Sequence, residues 1–179
     1  MTEVSRTTRE TNIRVEVLTD PSVVDISTTI PFLDHMLVTF ARYAGVGLRV
    51  SATGDLRHHI SEDVAIALGS AVGVHIPATA ARYGDRTIPM DDALVHCAID
   101  TGGRFYYQGP LPSATYDHWM RSFADNARAT LHLRVLRGSD RHHSVEAAFK
   151  ALGLALRDAM TEGGAVFSTK GAIALEVRA

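Results

Sequence analysis

The sequence RHHISEDVAIALGSAV at residues 57–72 recurs in modified form as RHHSVEAAFKALGLAL at residues 141–156. Eight of the sixteen aligned positions are identical, and both copies contain the pattern H-H-x-x-E. A second pair of segments, residues 34–41 and 117–124, shares the pattern D-H-x-x-x-x-F-A. Both pairs keep their order, with offsets of 84 and 83 residues, which indicates a duplicated half-domain. Two copies are too few for a solenoid, so we expect two halves related by a pseudo-twofold axis.

Hydrophobic periodicity predicts the secondary structure of each half. Alternating apolar and polar residues predict strands, whereas apolar residues at helical spacing predict helices. The predicted strands are residues 12–18, 45–52, 94–100 and 131–136, and the predicted helices are residues 35–43, 61–72 and 144–160. We therefore expect an α/β (α+β) sandwich of two duplicated half-domains, each a small mixed sheet with helices on one face. The halves would divide a single domain into about residues 1–88 and 89–179.

Composition narrows the class of protein. The 179 residues are 46% hydrophobic and 21% charged, with a net charge of −2, which excludes a disordered chain and argues against nucleic acid as a partner. The chain has one cysteine, Cys97, which cannot form an intrachain disulfide and fits a reducing compartment. The N-terminal residues contain no apolar signal-peptide core, and polar residues interrupt the longest uncharged run, 64–81. We therefore expect a cytoplasmic protein without membrane contact.

Six of the nine histidines lie in the repeated motifs. In a helix, residues i and i+4 or i+3 lie on one face, so His58 or His59 can bind the same ion as Glu62. Adjacent side chains diverge by about 100°, so a pair such as His58 and His59 indicates two metal ions. Six imidazoles and two carboxylates would then form two sites, each of three histidines and one glutamate. The candidate ligands are His35, His58, His59, Glu62, His118, His142, His143 and Glu146.

Imidazole and carboxylate ligands without a thiolate suit Mn, Fe, Co, Ni or Zn. The alternative interpretation is that these histidines cap helices or fill the core beside ordinary helix carboxylates. A single H-H-x-x-E fits that alternative, but a duplicated motif that each time follows D-H at a similar distance favours a metal site. His75, His96 and His132 have no counterparts in the repeat, and we interpret them as surface or strand residues.

Two lysines stand out against sixteen arginines. Lys150 follows Glu146 by four residues and therefore shares the metal face of its helix. Lys170 lies in the hydroxyl-rich sequence STKG at residues 168–171, whose backbone amides can bind phosphate. In a chain that otherwise uses arginine, lysine at these two positions indicates a need for compact positive charges, as an anionic substrate would require.

Longer motifs extend the pattern over nearly the whole chain, from about Arg9 to the STKG turn. They are Glu10-Thr11, PFLDHM, HHISEDVAIALG, IPMDDAL, RSFADNAR, LHLRVLRGSDRHHSVEAAFKAL and STKG. Together they resemble the imidazoleglycerol-phosphate dehydratases of histidine biosynthesis. The resemblance implies a duplicated α/β half-domain, two Mn²⁺ per subunit in a di-manganese site at subunit contacts, and a cubic homo-oligomer, a 24-mer.

The resemblance also implies roles for residues of this sequence. The eight candidate ligands match the metal ligands of the family. The residues that match its phosphate-binding positions are Arg82, Arg104, Lys150, Ser168 and Lys170. Glu10 matches an active-site acid or base, and we add Glu146 and Asp100 as candidate catalytic residues.

The implied reaction converts imidazoleglycerol phosphate to imidazole-acetol phosphate by loss of water. The carbon-bound proton is not acidic, because no carbonyl group is adjacent to it. Two metal ions on the imidazole nitrogens would stabilise an imidazolate, which expels the hydroxyl through a diazafulvene-like intermediate. Glu146 or Glu10 would move the proton, and the cationic residues would hold the phosphate.

Two alternative functions stay open at the level of sequence. One is a related di-metal lyase or hydrolase that acts on another azole phosphate. The other is a non-catalytic assembly protein in which metal ions only link subunits. Lys150 and Lys170 argue against the second alternative, because a purely structural metal site needs no lysines for a phosphate.

The sequence departs from the family pattern at several positions. The loop before His58 is about three residues shorter than usual and lacks the aspartate that precedes the family's H-H-T. Since such an aspartate can orient a metal-bound imidazole, we expect its loss to weaken one site. Thr39 replaces a glutamine, the usual D-x-S-G-R reads DTGGR at residues 100–104, and Asp92 replaces the glutamate of P-M-D-E-A-L. None of these departures touches the eight ligands.

Overall fold

The structure, a computed structural model, describes residues 1–163. The first half contains β1 (Thr2–Thr7), β2 (Thr11–Leu18), β3 (Val24–Ser27), α1 (Pro31–Ala44), β4 (Gly47–Gly54) and α2 (Arg57–His75). The second half contains β5 (Tyr83–Met90), β6 (Ala93–Asp100), β7 (Tyr106–Gln108), α3 (Ala114–Asn126), β8 (Thr130–Arg137) and α4 (Arg141–Ala159). The order of strands and helices is the same in both halves, as the sequence repeat predicts.

Two four-stranded sheets share one topology. The strand order is β1-β2-β4-β3 in the first sheet and β5-β6-β8-β7 in the second. In each sheet two antiparallel pairs are followed by one parallel pair, β3 with β4 or β7 with β8, so both sheets are mixed. The predicted fold class is therefore confirmed. The second sheet begins at Tyr83, so the two sheets divide somewhat before the predicted boundary at residue 88.

The helices cover one face of each sheet and meet between the halves. Helix α2 packs on β1 and β2, and α4 packs on β5 and β6. The halves join where α1 contacts α4 and α2 contacts α3. At this junction the rings of Phe40 and Phe123 lie 5.8 Å apart, both fully buried, and Trp119 stacks on Phe123 at 5.5 Å. The core is therefore shared by the two halves, which fixes the helices of one half relative to those of the other.

A glycine lies at each helix crossing because the backbones come close there. A Cβ on Gly69 of α2 would collide with the carbonyl oxygen of Phe123 on α3. A Cβ on Gly153 of α4 would lie 2.9 Å from the carbonyl oxygen of Phe40 on α1. The two glycines are equivalent positions of the repeat, so the pseudo-symmetry extends to the packing of the helices.

Helices α2 and α4 begin before the predicted helices do. The apolar periodicity predicts helices from residues 61 and 144, whereas α2 begins at Arg57 and α4 at Arg141. Both H-H pairs therefore lie in the first turn of a helix. Asp140 caps α4 and accepts hydrogen bonds from the amides of His142 and His143, whereas no side chain caps α2 within the described residues.

Four strands are missed by periodicity. The burial of β1, β3, β5 and β7 is partial, and β1 and β5 are polar sequences, TEVSRT and YGDRTIPM, at sheet edges. An edge strand needs few apolar residues, so its pattern is weak. Between residues 1 and 163, no helix combines the length and the apolar content that a membrane crossing requires.

Candidate metal centre

The first cluster of candidate ligands consists of His35, His142 and Glu146. Helix α1 of the first half supplies His35, and α4 of the second half supplies the other two residues. The Oε2 atom of Glu146 is 3.2 Å from Nε2 of His142 and 3.5 Å from Nε2 of His35. One ligand atom from each residue lies within 4.8 Å of the others, so the three can bind one ion.

The second cluster consists of His58, Glu62 and His118, and it is the pseudo-symmetric counterpart of the first. Helix α2 supplies His58 and Glu62, while α3 of the other half supplies His118. Nε2 of His118 is 3.1 Å from Oε1 of Glu62, and Nε2 of His58 is 3.7 Å from Oε2. Each cluster therefore combines the H-x-x-x-E of one half with the D-H histidine of the other half.

The donor sets of both clusters fit a divalent transition metal. Each offers two imidazole nitrogens and one carboxylate, the ligand types that Mn, Fe, Co, Ni and Zn share. Nε2 of His118 is buried, and its 3.1 Å contact with Oε1 of Glu62 does not have the geometry of a hydrogen bond, so this nitrogen makes none within residues 1–163. A buried nitrogen without a partner is costly unless it binds something else, and a metal ion would satisfy it. The described residues thus contain two clusters whose donor atoms fit a divalent metal ion.

His59 and His143 lie apart from the two clusters, although each follows a cluster histidine directly. The rings of His142 and His143 are 5.8 Å apart and nearly perpendicular, at 88°, and those of His58 and His59 are 6.1 Å apart at 62°. Successive side chains of a helix diverge in this way. The sequence predicts three histidines per site, but within one chain each cluster contains only two.

Carboxylates contact both outlying histidines. Nδ1 of His59 is 2.8 Å from Oδ1 of Asp55, and Nδ1 of His143 is 2.7 Å from Oδ1 of Asp92. These hydrogen bonds raise the pKa of both histidines above the usual value. Asp92 also accepts from the amide and hydroxyl of Ser139, and the bond from His143, followed by those from Ser139, holds the pKa of Asp92 well below its usual range. Asp55 thus supplies a carboxylate contact to His59 from the shortened loop, and the expected weakening of one site stays a prediction.

Glu10 lies in the turn between β1 and β2, beside His59. Its Oε2 atom is 3.6 Å from Nδ1 of His59, and its side chain is 58% exposed. Glu10, Asp55 and His59 together form a third group whose ligand atoms lie within 4.8 Å of one another. The carbonyl oxygen of Glu10 accepts a hydrogen bond from the amide of Asp55, which ties the turn to the loop before α2.

Lys150 contacts a candidate ligand directly. Its Nζ atom is 2.9 Å from Oε1 of Glu146 and 5.9 Å from the ring centre of Tyr43. Burial alone would raise the pKa of Glu146, but the ion pair with Lys150 and the contact with His35 lower it below the usual value. Lys150 therefore helps to keep this buried ligand ionised. Its counterpart in the first half is Ile66, which cannot do so.

Arg82, Asp100 and Arg104 lie at the other end of the second half. Nε and Nη2 of Arg82 donate to Asp100 at 2.6 and 2.9 Å, and this pair lowers the pKa of Asp100. The amide of Arg82 donates to the carbonyl of Ala159 at the end of α4, whereas His142 lies in the first turn of the same helix. At a rise of 1.5 Å per residue, α4 separates the two ends by about 25 Å. Within one chain, the arginines are thus remote from the first cluster.

Two predicted site residues, Ser168 and Lys170, lie outside the described residues.

A cleft of about 530 Å³ opens beside the first cluster and is lined by Phe32, Tyr116 and His142, among others. The ring of Phe32 lies 5.0 Å from that of His142. A planar, partly apolar group has room next to the cluster at this position.

Sequence reasoning missed the role of the aspartate in each D-H motif. Oδ1 of Asp34 accepts from the amide and the hydroxyl of Thr28, at 2.8 and 2.5 Å. Oδ1 of Asp117 accepts from the hydroxyl of Tyr107 and the amide of Leu111, at 2.6 and 2.8 Å. Each aspartate thus ties the loop after a strand to the helix that carries the next histidine. The sequence contains a sign of this role, because the aspartate is repeated together with the histidine in both D-H motifs.

A family model described as imidazoleglycerol-phosphate dehydratase matches residues 28–156. The chain belongs to this family. It is 48% identical to an imidazoleglycerol-phosphate dehydratase of Pyrobaculum calidifontis over 94% of this chain and 97% of that protein. It is also similar to a crystal structure of the Pyrococcus furiosus enzyme in complex with (S)-C348, with a TM-score of 0.85, 41% identity and coverage of 95% of this chain and 100% of the other. The Staphylococcus aureus enzyme gives a TM-score of 0.78 at 33% identity, over 90% and 99% of the two chains.

Proposed function

We propose that this chain is a metal-dependent dehydratase that converts imidazoleglycerol phosphate to imidazole-acetol phosphate, with two divalent ions per subunit, Mn²⁺ in the first instance. The observation that carries this proposal is the pair of pseudo-symmetric clusters. Each cluster combines two histidines with one glutamate in a chain whose family is that of this dehydratase. A third histidine for each site, His59 or His143, would come from a neighbouring copy.

The residues of the chain have separate tasks in this proposal. Bound ions supply Lewis acidity towards the imidazole ring of the substrate. Glu10 is an exposed carboxylate beside His59 and is available to carry a proton at Oε2. Glu146 is buried and ion-paired with Lys150, so we assign it to metal binding rather than to proton transfer. Glu10 is therefore our candidate acid or base.

Assembly follows from the distance between the two ends of the second half. Arg82 and Arg104 are the proposed phosphate-binding residues, yet about 25 Å of helix α4 separates Arg82 from His142. A small phosphorylated imidazole cannot span this distance. We therefore propose that each active site combines the metal ligands of one copy with the arginines of another, in a large metal-linked homo-oligomer, for which we propose the cubic 24-mer.

The test is turnover of imidazoleglycerol phosphate by the full chain, with metal analysis of the same sample. We expect activity after Mn²⁺ loading, none after chelation, and recovery when Mn²⁺ is returned. His35→Ala and His118→Ala each remove one ligand from a cluster, so each should lower kcat/KM at least tenfold, or about 1.4 kcal/mol.

His132→Ala is the matched control, since His132 is an exposed histidine on β8 outside both clusters. It should keep activity near that of the unaltered chain. A chain that binds Mn²⁺ stoichiometrically and assembles, but does not turn over this substrate, would contradict the proposed activity and favour the metal-linked assembly protein.

A further inference from the structure

In both outlying histidines, His59 and His143, Nδ1 forms a hydrogen bond with an aspartate. Nδ1 of His59 contacts Asp55 and Nδ1 of His143 contacts Asp92, at 2.8 and 2.7 Å. An ionised carboxylate can only accept a hydrogen bond, so the proton of each neutral imidazole is on Nδ1. Nε2 then keeps its lone pair, which is the form that binds a metal ion. At His143 this nitrogen also lies 3.4 Å from Oδ2 of Asp91, a carboxylate whose side chain is 70% exposed.

The two halves provide this carboxylate from different parts of the chain. Asp55 lies in the loop directly before α2, four residues before His59. Asp92 lies in the turn between β5 and β6, 51 residues before His143. The arrangement is therefore not a simple copy made by duplication. The same hydrogen bond between a carboxylate and Nδ1 is thus made in two different ways, which indicates that this hydrogen bond itself is required.

The surroundings of the two aspartates also differ. Asp55 has few other contacts: its side chain is 52% exposed and, within residues 1–163, its one further hydrogen bond is accepted from the amide of Leu56. Asp92 also accepts from Ser139 and from the amide of Asp140, so it holds the loop before α4 in place. Removing Asp55 thus tests the contact with the histidine almost alone, whereas removing Asp92 also disturbs a loop.

We propose that Asp55 and Asp92 are positioning residues that hold His59 and His143 as Nδ1–H tautomers and reserve Nε2 for a metal ion shared with a neighbouring copy. This inference rests on the proposed function. The short loop before α2 is part of the arrangement, because it brings Asp55 within one helical turn of His59. Neither aspartate touches the substrate in this proposal.

The first experiment measures Mn²⁺ binding to the metal-free full chain by titration calorimetry, together with thermal unfolding of the same metal-free samples. Asp55→Ala should lower the affinity for Mn²⁺ by about 10- to 100-fold, the range found for residues that orient metal ligands. Its melting temperature without metal should stay near that of the unaltered chain. Asp92→Ala should lower both the affinity and the melting temperature.

Asp125→Ala is the matched control, since Asp125 is exposed on α3 and its side chain makes no hydrogen bond within residues 1–163. Equal Mn²⁺ affinity of Asp55→Ala and Asp125→Ala would overturn the inference. If the alanine variant does not fold, Asp55→Leu takes its place, because leucine has a similar volume but cannot accept the hydrogen bond from Nδ1, and the same loss of affinity is expected.

The second experiment reads the tautomer directly, without metal or activity. Magic-angle-spinning ¹⁵N NMR of histidine-labelled, sedimented, metal-free protein distinguishes Nδ1–H from Nε2–H, and His59→Gln identifies the signal of His59. We expect Nδ1–H in the unaltered chain and a shift towards Nε2–H in Asp55→Ala. An unchanged signal would overturn the inference. Absence of Mn²⁺ binding or turnover by the unaltered chain would instead contradict the proposed function, so the two failures are distinguishable.

Discussion

At the scale of single residues, the buried carboxylate of Glu146 depends on the charges around it. The residue is 6% exposed, and its carboxylate lies between two histidines on one side and Lys150 on the other. A buried carboxylate stays ionised only when cations or hydrogen-bond donors surround it. Lys150 matches a phosphate-binding position of the family, but in this structure it contacts the candidate ligand. A substitution can separate the two roles.

Replacing Lys150 with methionine removes the charge and keeps most of the side-chain volume. If Lys150 mainly supports Glu146, Lys150→Met should weaken Mn²⁺ binding at least tenfold, because a buried ligand loses its counter-charge. Ile66→Met, at the equivalent position of the first half, is the matched control and should change little. Calorimetric titration of both variants measures the effect. A raised KM with unchanged Mn²⁺ affinity would instead show that the lysine acts on the substrate.

The ion pair of Asp100 and Arg82 gives a pH-dependent contribution to stability. The hydrogen bond from Arg82 holds the pKa of Asp100 below its usual value. A lowered folded-state pKa means that the pair stabilises the fold above the unfolded pKa, and that this stabilisation is lost as the pH falls through the folded pKa. In urea unfolding, the unaltered chain should therefore exceed Asp100→Asn in stability by a constant amount above about pH 5, and the difference should shrink below about pH 4. A difference that does not change over this range would exclude the pair as its source.

At the scale of secondary structure, the sequence predicts the elements that face the core and misses those that do not. The strands β2, β4, β6 and β8 are central in their sheets and alternate clearly, whereas β1 and β5 are polar edge strands. The repeat also predicts equivalent helices. It does not predict which half completes which cluster, because that depends on how α1 meets α4 and α2 meets α3. The crossings of these helices are set by packing, which leaves no periodic signal.

The glycines at the crossings provide a test of that packing. In an exposed helix, alanine in place of glycine stabilises by about 1 kcal/mol, but at Gly153 the added Cβ lies 2.9 Å from the carbonyl oxygen of Phe40. Gly153→Ala should therefore destabilise the fold, by about 1–3 kcal/mol. Ser70→Ala, on α2 next to Gly69 but half-buried, is a control that should stay within about 1 kcal/mol. Chemical denaturation of the metal-free variants gives both values, and a stabilised Gly153→Ala would show that the helices are not in close contact.

At the scale of the whole molecule, the candidate metal ligands and the candidate phosphate-binding arginines lie at opposite ends of α4. The sequence identifies both groups as candidates, but it carries no information about the distance between them, which follows from the length of α4 in the structure. The outlying histidines His59 and His143 likewise point to contacts beyond one chain. Both observations lead to the same expectation about assembly.

Removal of the metal should therefore change the mass of the protein in solution. Ions bound between copies stabilise the assembled form by mass action. The ligand histidines must be neutral to bind, so acid should act as a chelator does. We expect EDTA, or a pH below about 5, to convert a large assembly into a small oligomer, and Mn²⁺ to restore it at neutral pH. Light scattering with metal analysis of the same fractions measures this, and a metal-free sample of unchanged mass would contradict metal-linked assembly.

The exchange of ligands between halves has a consequence for the ancestry of the chain. A half-length polypeptide with one D-H and one H-H-x-x-E could not complete a cluster alone, but two identical copies would complete two equal ones by pairing. Once the two copies are fused into one gene, the residues around the two clusters can change independently. The two halves of the present chain differ in this way. Lys150 follows one cluster glutamate by four residues, whereas Ile66 is at the equivalent position after the other. The equivalent histidines His59 and His143 are contacted by aspartates from different parts of the chain, Asp55 and Asp92.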